Sequence, residues 1–167
     1  MSQIEIRQLE SDDTELLYNF YQELAPEVHA LYRPFEEVTR EKIETHLSET
    51  DAHKHISWGL WDADRIVGHC FVMRKDDPNP IFGIGLDSRY HGRGYGEKIA
   101  TEIIDHCDRL DIKNVTLTVL KHNVRAFTLY KKLGFAVHGD QTFKEENDSY
   151  FMIRSRHERE DSGGSST

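Results

Sequence analysis

Apolar and polar residues alternate near both ends of the chain, and between them apolar positions fall at helical spacing. Across Gln3–Gln8, Ile4 and Ile6 alternate with Glu5 and Arg7, the period-two pattern of a half-covered strand. Ser11-Asp12-Asp13-Thr14-Glu15 supplies a polar cap and an acidic first turn. Leu16, Leu17, Phe20, Tyr21 and Leu24 then share a helical face until Ala25-Pro26 ends it. Glu27–Val38 has no clear period; a second helix is expected from its cap, Thr39, to about Ser48. His55–Trp61 and Arg65–Met73 predict two strands joined by a hairpin turn around Asp62-Ala63-Asp64. After the Asp76–Pro80 loop, the short apolar run Ile81–Leu86 predicts a buried strand. Ile99, Ala100, Ile103, Ile104, Cys107 and Leu110 then recur as one face of a helix packed on a core. Val115–Leu120 is a further strand, and Asn123 caps a helix that Gly134 terminates. Phe135–His138 and Tyr150–Arg154 close the chain as a strand pair linked by the polar stretch Gly139–Ser149.

The order is strand, two helices, three strands, helix, strand, helix, two strands. It predicts a mixed sheet flanked by helices, an α/β or α+β layer fold. A chain of 167 residues suits one domain. That domain is expected over residues 1–155, followed by a tail, 156–167, that is charged and then Ser/Gly-rich; Asp161–Thr167 is expected to lack ordered structure. The two cysteines, Cys70 and Cys107, fall in apolar patterns and are expected to stay reduced, which suits the cytoplasm. No signal peptide or apolar run of membrane-spanning length stands out. A formal charge of −9 argues against a nucleic-acid partner and is compatible with a cationic amine. The ten histidines are scattered, with His53 and His55 the one close pair, so no metal site is expected.

The chemistry concentrates at His91-Gly92-Arg93-Gly94-Tyr95-Gly96, between the apolar strand and the helix that follows it. A strand, a glycine-rich turn and a helix start make a phosphate cradle. The glycines let the backbone approach a ligand, and the first unpaired helix amides face the anion with the positive end of the dipole. A dinucleotide fingerprint would need glycine where Glu97 stands, and an acid where Lys121 ends the next strand; a P-loop would need Gly-Lys-Ser/Thr, which is absent. Both nucleotide readings therefore weaken.

Downstream comes Asn123-Val-Arg-Ala126-Phe-Thr-Leu-Tyr130-Lys-Lys-Leu-Gly134-Phe135. With the cradle at its spacing, this stretch resembles the acetyl-CoA-binding motif of the GCN5-related N-acetyltransferase (GNAT) superfamily, Arg/Gln-x-x-Gly-x-Gly/Ala followed by Asn-x-x-Ala-x-x-Leu-Tyr-x-Lys-x-Gly-Phe. The likeness spans about Ile81 to Phe135, and His91 departs from it by standing where the family has Arg or Gln. The resemblance implies the GNAT acyl-CoA N-acyltransferase fold, a mostly antiparallel sheet whose strands on either side of the cradle helix splay apart. It implies acetyl-CoA as co-substrate, no metal, and contacts from Leu86, Asp87, His91, Gly92, Arg93, Gly94, Tyr95, Gly96, Glu97, Asn123, Ala126 and Tyr130. Tyr130 occupies the family's general-acid position, although Phe127, Tyr130 and Leu133 also share the spacing of a packed face; Asn123 is equally a plain helix cap. The general base stays open among His69, Glu23, Asp87 and a water chain. By the same likeness the acceptor meets the first helix and Tyr32, Arg33 and Phe35, while Gly83 and Gly85 are expected to leave room for a bulky acceptor or a longer acyl group. The leading expectation is acetylation of a small-molecule primary amine. The alternatives are a protein N-terminus or lysine, and a non-catalytic acyl-CoA sensor. A homodimer is open to any of these.

Overall fold

The structure, a computed structural model, describes residues 3–24, 38–143 and 147–156, with the backbone alone over 139–143 and 147–148. In chain order the elements are β1 (Ile4–Gln8), α1 (Thr14–Glu23), α2 (Arg40–Asp51), β2 (Ile56–Asp62), β3 (Arg65–Met73), β4 (Ile81–Leu86), α3 (Tyr95–Arg109), β5 (Asn114–Leu120), α4 (Val124–Lys132), β6 (Ala136–Phe143) and β7 (Asn147–Ser155). The strands form one seven-stranded sheet in the order β1-β2-β3-β4-β5-β7-β6. Every neighbouring pair is antiparallel except β4 and β5. The mixed sheet and its splayed pair therefore match the expected fold.

Local chemistry sets the boundaries. The Thr39 side chain accepts from the Lys42 amide and starts α2, which runs three residues past the expected Ser48 to Asp51. Leu110 was expected on the buried face of α3 but is 47% exposed, because the helix has ended at Arg109 and Leu110 serves as its cap. Of Gly139–Ser149, expected to be a linker, residues 139–143 and 147–149 instead extend the two final strands: Asp140 pairs with Tyr150 and Phe143 with Asn147. Polarity misled there because a strand at the sheet's edge tolerates polar residues on both faces. The tail beyond Arg156 lies outside the described residues.

Two apolar clusters hold the layers. One joins α3 to the sheet through Ile99, Ala100, Ile103 and Cys107 against Val72, Phe82, Val115 and Met152. The other joins α1 and α2 through Leu17, Phe20, Tyr21, Ile43 and Leu47. Cys70 and Cys107 are free and fully buried in the first cluster. Burial pushes the Cys70 thiol up, and pushes that of Cys107 up to about 12.

Beneath the second cluster runs a buried polar chain. The Tyr21 hydroxyl lies 2.6 Å from Nδ1 of His69, whose Nε2 lies 2.7 Å from Oγ of Ser57, which lies 3.1 Å from Nε2 of His46. The His46 ring stacks on His55, their centroids 5.1 Å apart. Burial is the main cause that lowers His46 to about 3 and His69 well below the ordinary range, with a neighbouring imidazole adding to each. Both rings are thus held neutral, whereas the unfolded chain titrates them near 6.5. Below that pH the unfolded state binds the extra protons. The stabilisation is complete above about pH 6.5 and is lost as pH falls, by at most about 1.4 kcal/mol per pH unit per ring. Urea midpoints are expected to fall between pH 7 and pH 5, and His46→Gln to flatten the slope by about half. A midpoint independent of pH over that range would contradict buried neutral imidazoles.

Candidate active site

β4 and β5 share a single paired position, Ile81 with Thr116. There the Pro80 carbonyl accepts from both the Thr116 amide at 2.8 Å and its hydroxyl at 2.9 Å. Beyond that rung the strands diverge around a cavity of about 720 Å³, lined among others by Phe71, Gly83, Leu86, His91, Asn123 and Tyr130. Alternation along β4 decides which backbone groups face the gap. The Asp87 amide donates to the Val67 carbonyl, so odd-numbered residues of β4 pair with β3. Those of Ile84 and Leu86 point the other way, into the gap. The Leu86 carbonyl accordingly accepts from Nε2 of His91 at 2.9 Å. This leaves the N–H groups of Ile84 and Leu86 facing the gap, and it requires that Nε2 of His91 carry a proton.

The cradle closes one end of the gap. Gly92 and Gly94 have φ of 75° and 82°. A Cβ at either would meet nothing within 4 Å, so the left-handed backbone, not crowding, selects glycine. The first bond of α3 runs from the Lys98 amide to the Gly94 carbonyl at 3.1 Å. The amides of Tyr95, Gly96 and Glu97 precede it and point out of the helix start, where the dipole favours an anion. A Cβ on Gly96 would lie 4.0 Å from Ile84 Cδ1 and Leu86 Cδ2, which seats this turn on β4. The exposed Arg93 guanidinium lies 5.7 Å from the Tyr90 ring centroid, while Glu97 is paired with Lys132 at 3.0 Å on the surface.

α4 brings the second constellation to the opposite wall. The Asn123 side chain accepts from the Ala126 amide at 3.3 Å and caps the helix. Tyr130 lies edge-on to Phe82 and Phe135, with ring centroids 5.9 and 6.0 Å away. Its phenol is pushed up by burial, so it keeps its proton at neutral pH. Packing and access to the gap therefore coexist in this one side chain.

Of the expected site residues, Leu86, His91, Gly96, Asn123, Ala126 and Tyr130 line the cavity together, and Gly92, Arg93, Gly94, Tyr95 and Glu97 form the adjoining turn and helix start. The candidate bases do not join them. His69 is fully buried and clasped between Tyr21 and Ser57. Asp87 binds Arg89 through both carboxylate oxygens, at 3.1 and 2.7 Å, and also accepts its amide. The Arg89 side-chain bonds are the largest cause that lowers its carboxyl, so it makes a poor base. Glu23 faces Arg65 at 3.6 Å on the surface. Tyr32, Arg33 and Phe35 lie outside the described residues. Gly83 does not leave the expected room, since the Phe71 ring occupies it: a Cβ there would sit 2.2 Å from Phe71 Cζ.

Two arginines on the cavity wall were not anticipated. Arg74 and Arg125 both line it, and neither has an ion-pair partner among the described residues. Arg125 stands inside the motif that begins at Asn123, which was a usable signal. Arg74 follows β3 with φ of 57°, and nothing in the local pattern marks it.

A model of the acetyltransferase (GNAT) domain matches residues 3–136. The L-amino acid N-acetyltransferase AaaT of Escherichia coli (strain K12) is 29% identical over 164 residues, which cover 92% of this chain and 99% of that one. The crystal structure of an acetyltransferase of the GNAT family from Streptococcus pneumoniae matches with a TM-score of 0.75 at 23% identity, covering 92% of this chain and 100% of the other. That of PaiA N-acetyltransferase from Thermoplasma acidophilum, in complex with coenzyme A, matches at 0.74 and 18%, covering 92% and 99%.

The cradle's glycines should respond in opposite directions to one added methyl. Gly94→Ala is expected to cost about 1 kcal/mol through its left-handed backbone, a loss of roughly 2–4 °C in melting temperature. Gly96→Ala, inside a helix and in ordinary contact distance, is expected to gain about 0.5–1 kcal/mol. Thermal melts showing equal shifts would remove backbone strain as the reason for Gly94.

Proposed function

As this chain belongs to the acetyltransferase (GNAT) family and is an acetyl-CoA-dependent N-acetyltransferase, we propose that it acetylates the primary amine of a small molecule by direct attack within a ternary complex. The observation that carries the reading is the gap itself. It joins unpaired helix amides at one end, unpaired β4 backbone along one wall and a protonated phenol on the other.

The fit to the co-substrate follows from those groups. The amides of Tyr95, Gly96 and Glu97 would take its diphosphate, with Arg93 near enough to add charge. Asn123 and the gap-facing N–H of Leu86, the one nearer the cradle, would pair with the amides of its arm. The thioester supplies an activated acetyl group. The Ile84 N–H, one gap-facing position further from the cradle, is the donor suited to negative charge building on the carbonyl oxygen, a role worth about 2.7–4 kcal/mol where such donors have been removed. Tyr130 gives its proton to the departing sulfur. Holding amine and thioester together supplies several kcal/mol more. No carboxylate lines the cavity among the described residues, and the amine's proton would leave through water.

A small-molecule acceptor is supported by the end-to-end match to an L-amino acid N-acetyltransferase. Arg74 adds a cation without an ion-pair partner among the described residues, suited to an acceptor's carboxylate.

Tyr130→Phe is expected to cut turnover on the order of 10²-fold while changing acetyl-CoA affinity less than about threefold. Thiol release with amino acids, polyamines and peptides tests the acceptor class. Release with peptides alone would replace the small molecule. Binding of acetyl-CoA without release on any acceptor would turn the enzyme into a sensor.

A further inference from the structure

We propose that Phe71 is the gauge that holds this site to short acyl groups. Phe71 lies directly across the β3–β4 ladder from Gly83. A Cβ on Gly83 would sit 2.2 Å from its Cζ and 2.8 Å from both Cε atoms, so the tip of the ring fills the place a β4 side chain would take. The ring is only 3% exposed, and what it does expose faces the cavity it lines.

The ring is hemmed in from behind. Its centroid lies 5.1 Å from that of His69 and 5.9 Å from that of His46. Those imidazoles are themselves held by the bonds that link Tyr21, His69, Ser57 and His46. An apolar ring packed against a fixed polar chain has no room to retreat, since close-packed interiors yield little. The buried chain, unused in the acetyl transfer, thus acts as the back wall of the acyl site. The inference rests on the proposed placement of the thioester along β4, with its carbonyl at the gap-facing N–H of Ile84, the residue next to Gly83. An acyl chain growing from that carbonyl along β4 meets Gly83 next, where the ring stands. One methylene too many in a closed apolar pocket costs about tenfold or more in discrimination.

The test compares acetyl-, propionyl- and butyryl-CoA by calorimetry, without an acceptor, on the wild type and on Phe71→Leu, Phe71→Ala and Gly83→Ala. The wild type is expected to bind acetyl-CoA at least about tenfold tighter than butyryl-CoA. Phe71→Ala should bring the two within about threefold, with Phe71→Leu between. Gly83→Ala should weaken even acetyl-CoA, because the displaced ring has only the cavity to enter. The ratio of two thioesters on one protein is insensitive to a general loss of stability, and Phe71→Leu carries the test if the alanine variant does not fold. An unchanged ratio in a variant that still binds acetyl-CoA overturns the gauge alone, as does a wild type indifferent to chain length. A wild type that binds none of the thioesters overturns the cavity's assignment and the gauge with it.

Discussion

The Pro80 carbonyl accepts two hydrogen bonds from Thr116, and past that rung β4 and β5 share no ladder. Interrupting a sheet at its centre leaves backbone donors and acceptors that must find partners, because buried unpaired groups are costly. His91 satisfies one of them by donating to the Leu86 carbonyl. The others face a gap of defined width, where a ligand bearing amides of its own can take the place of the missing strand. The neighbouring elements keep this break open. β3 braces β4 through six paired positions, β7 braces β5 through seven, and the buried face of α3 bridges the break below.

The cradle belongs to the same break. A strand that loses its partner can turn sharply, and Gly92 and Gly94 make that turn in left-handed conformations. Gly96 then lies flat against Ile84 and Leu86. The helix start is thereby fixed relative to the open strand edge, so an anion at the amides and an acyl group along β4 would be placed by one rigid unit.

The alternation of Ile4 and Ile6, the apolar run at Ile81–Leu86 and the face of Ile99–Cys107 were legible because each is local: period and capping decide them. The glycine turn beside the cavity was legible for a related reason, since its left-handed positions need glycine, and the spacing of glycines survives in a sequence. What was not legible is tertiary. That His69 is sealed between Tyr21 and Ser57 depends on which helix covers β3. That Gly83 is filled depends on the register that sets Phe71 against it. Asp87 reads as a carboxylate at a strand end, and only the folded turn shows Arg89 gripping it. Polar residues at 139–143 resembled a linker because they lie on the edge strand β6, which has little apolar demand.

Cys70 and Cys107 sit in the core with their thiols pushed far from ionisation. Disulfide exchange proceeds through the thiolate, and burial removes both the charge and the access that it needs. A catalyst that liberates a free thiol at every turnover works beside a steady supply of sulfur compounds and their oxidised dimers. With its own sulfurs withdrawn into the apolar interior, this protein offers its product no site for mixed-disulfide formation among the described residues.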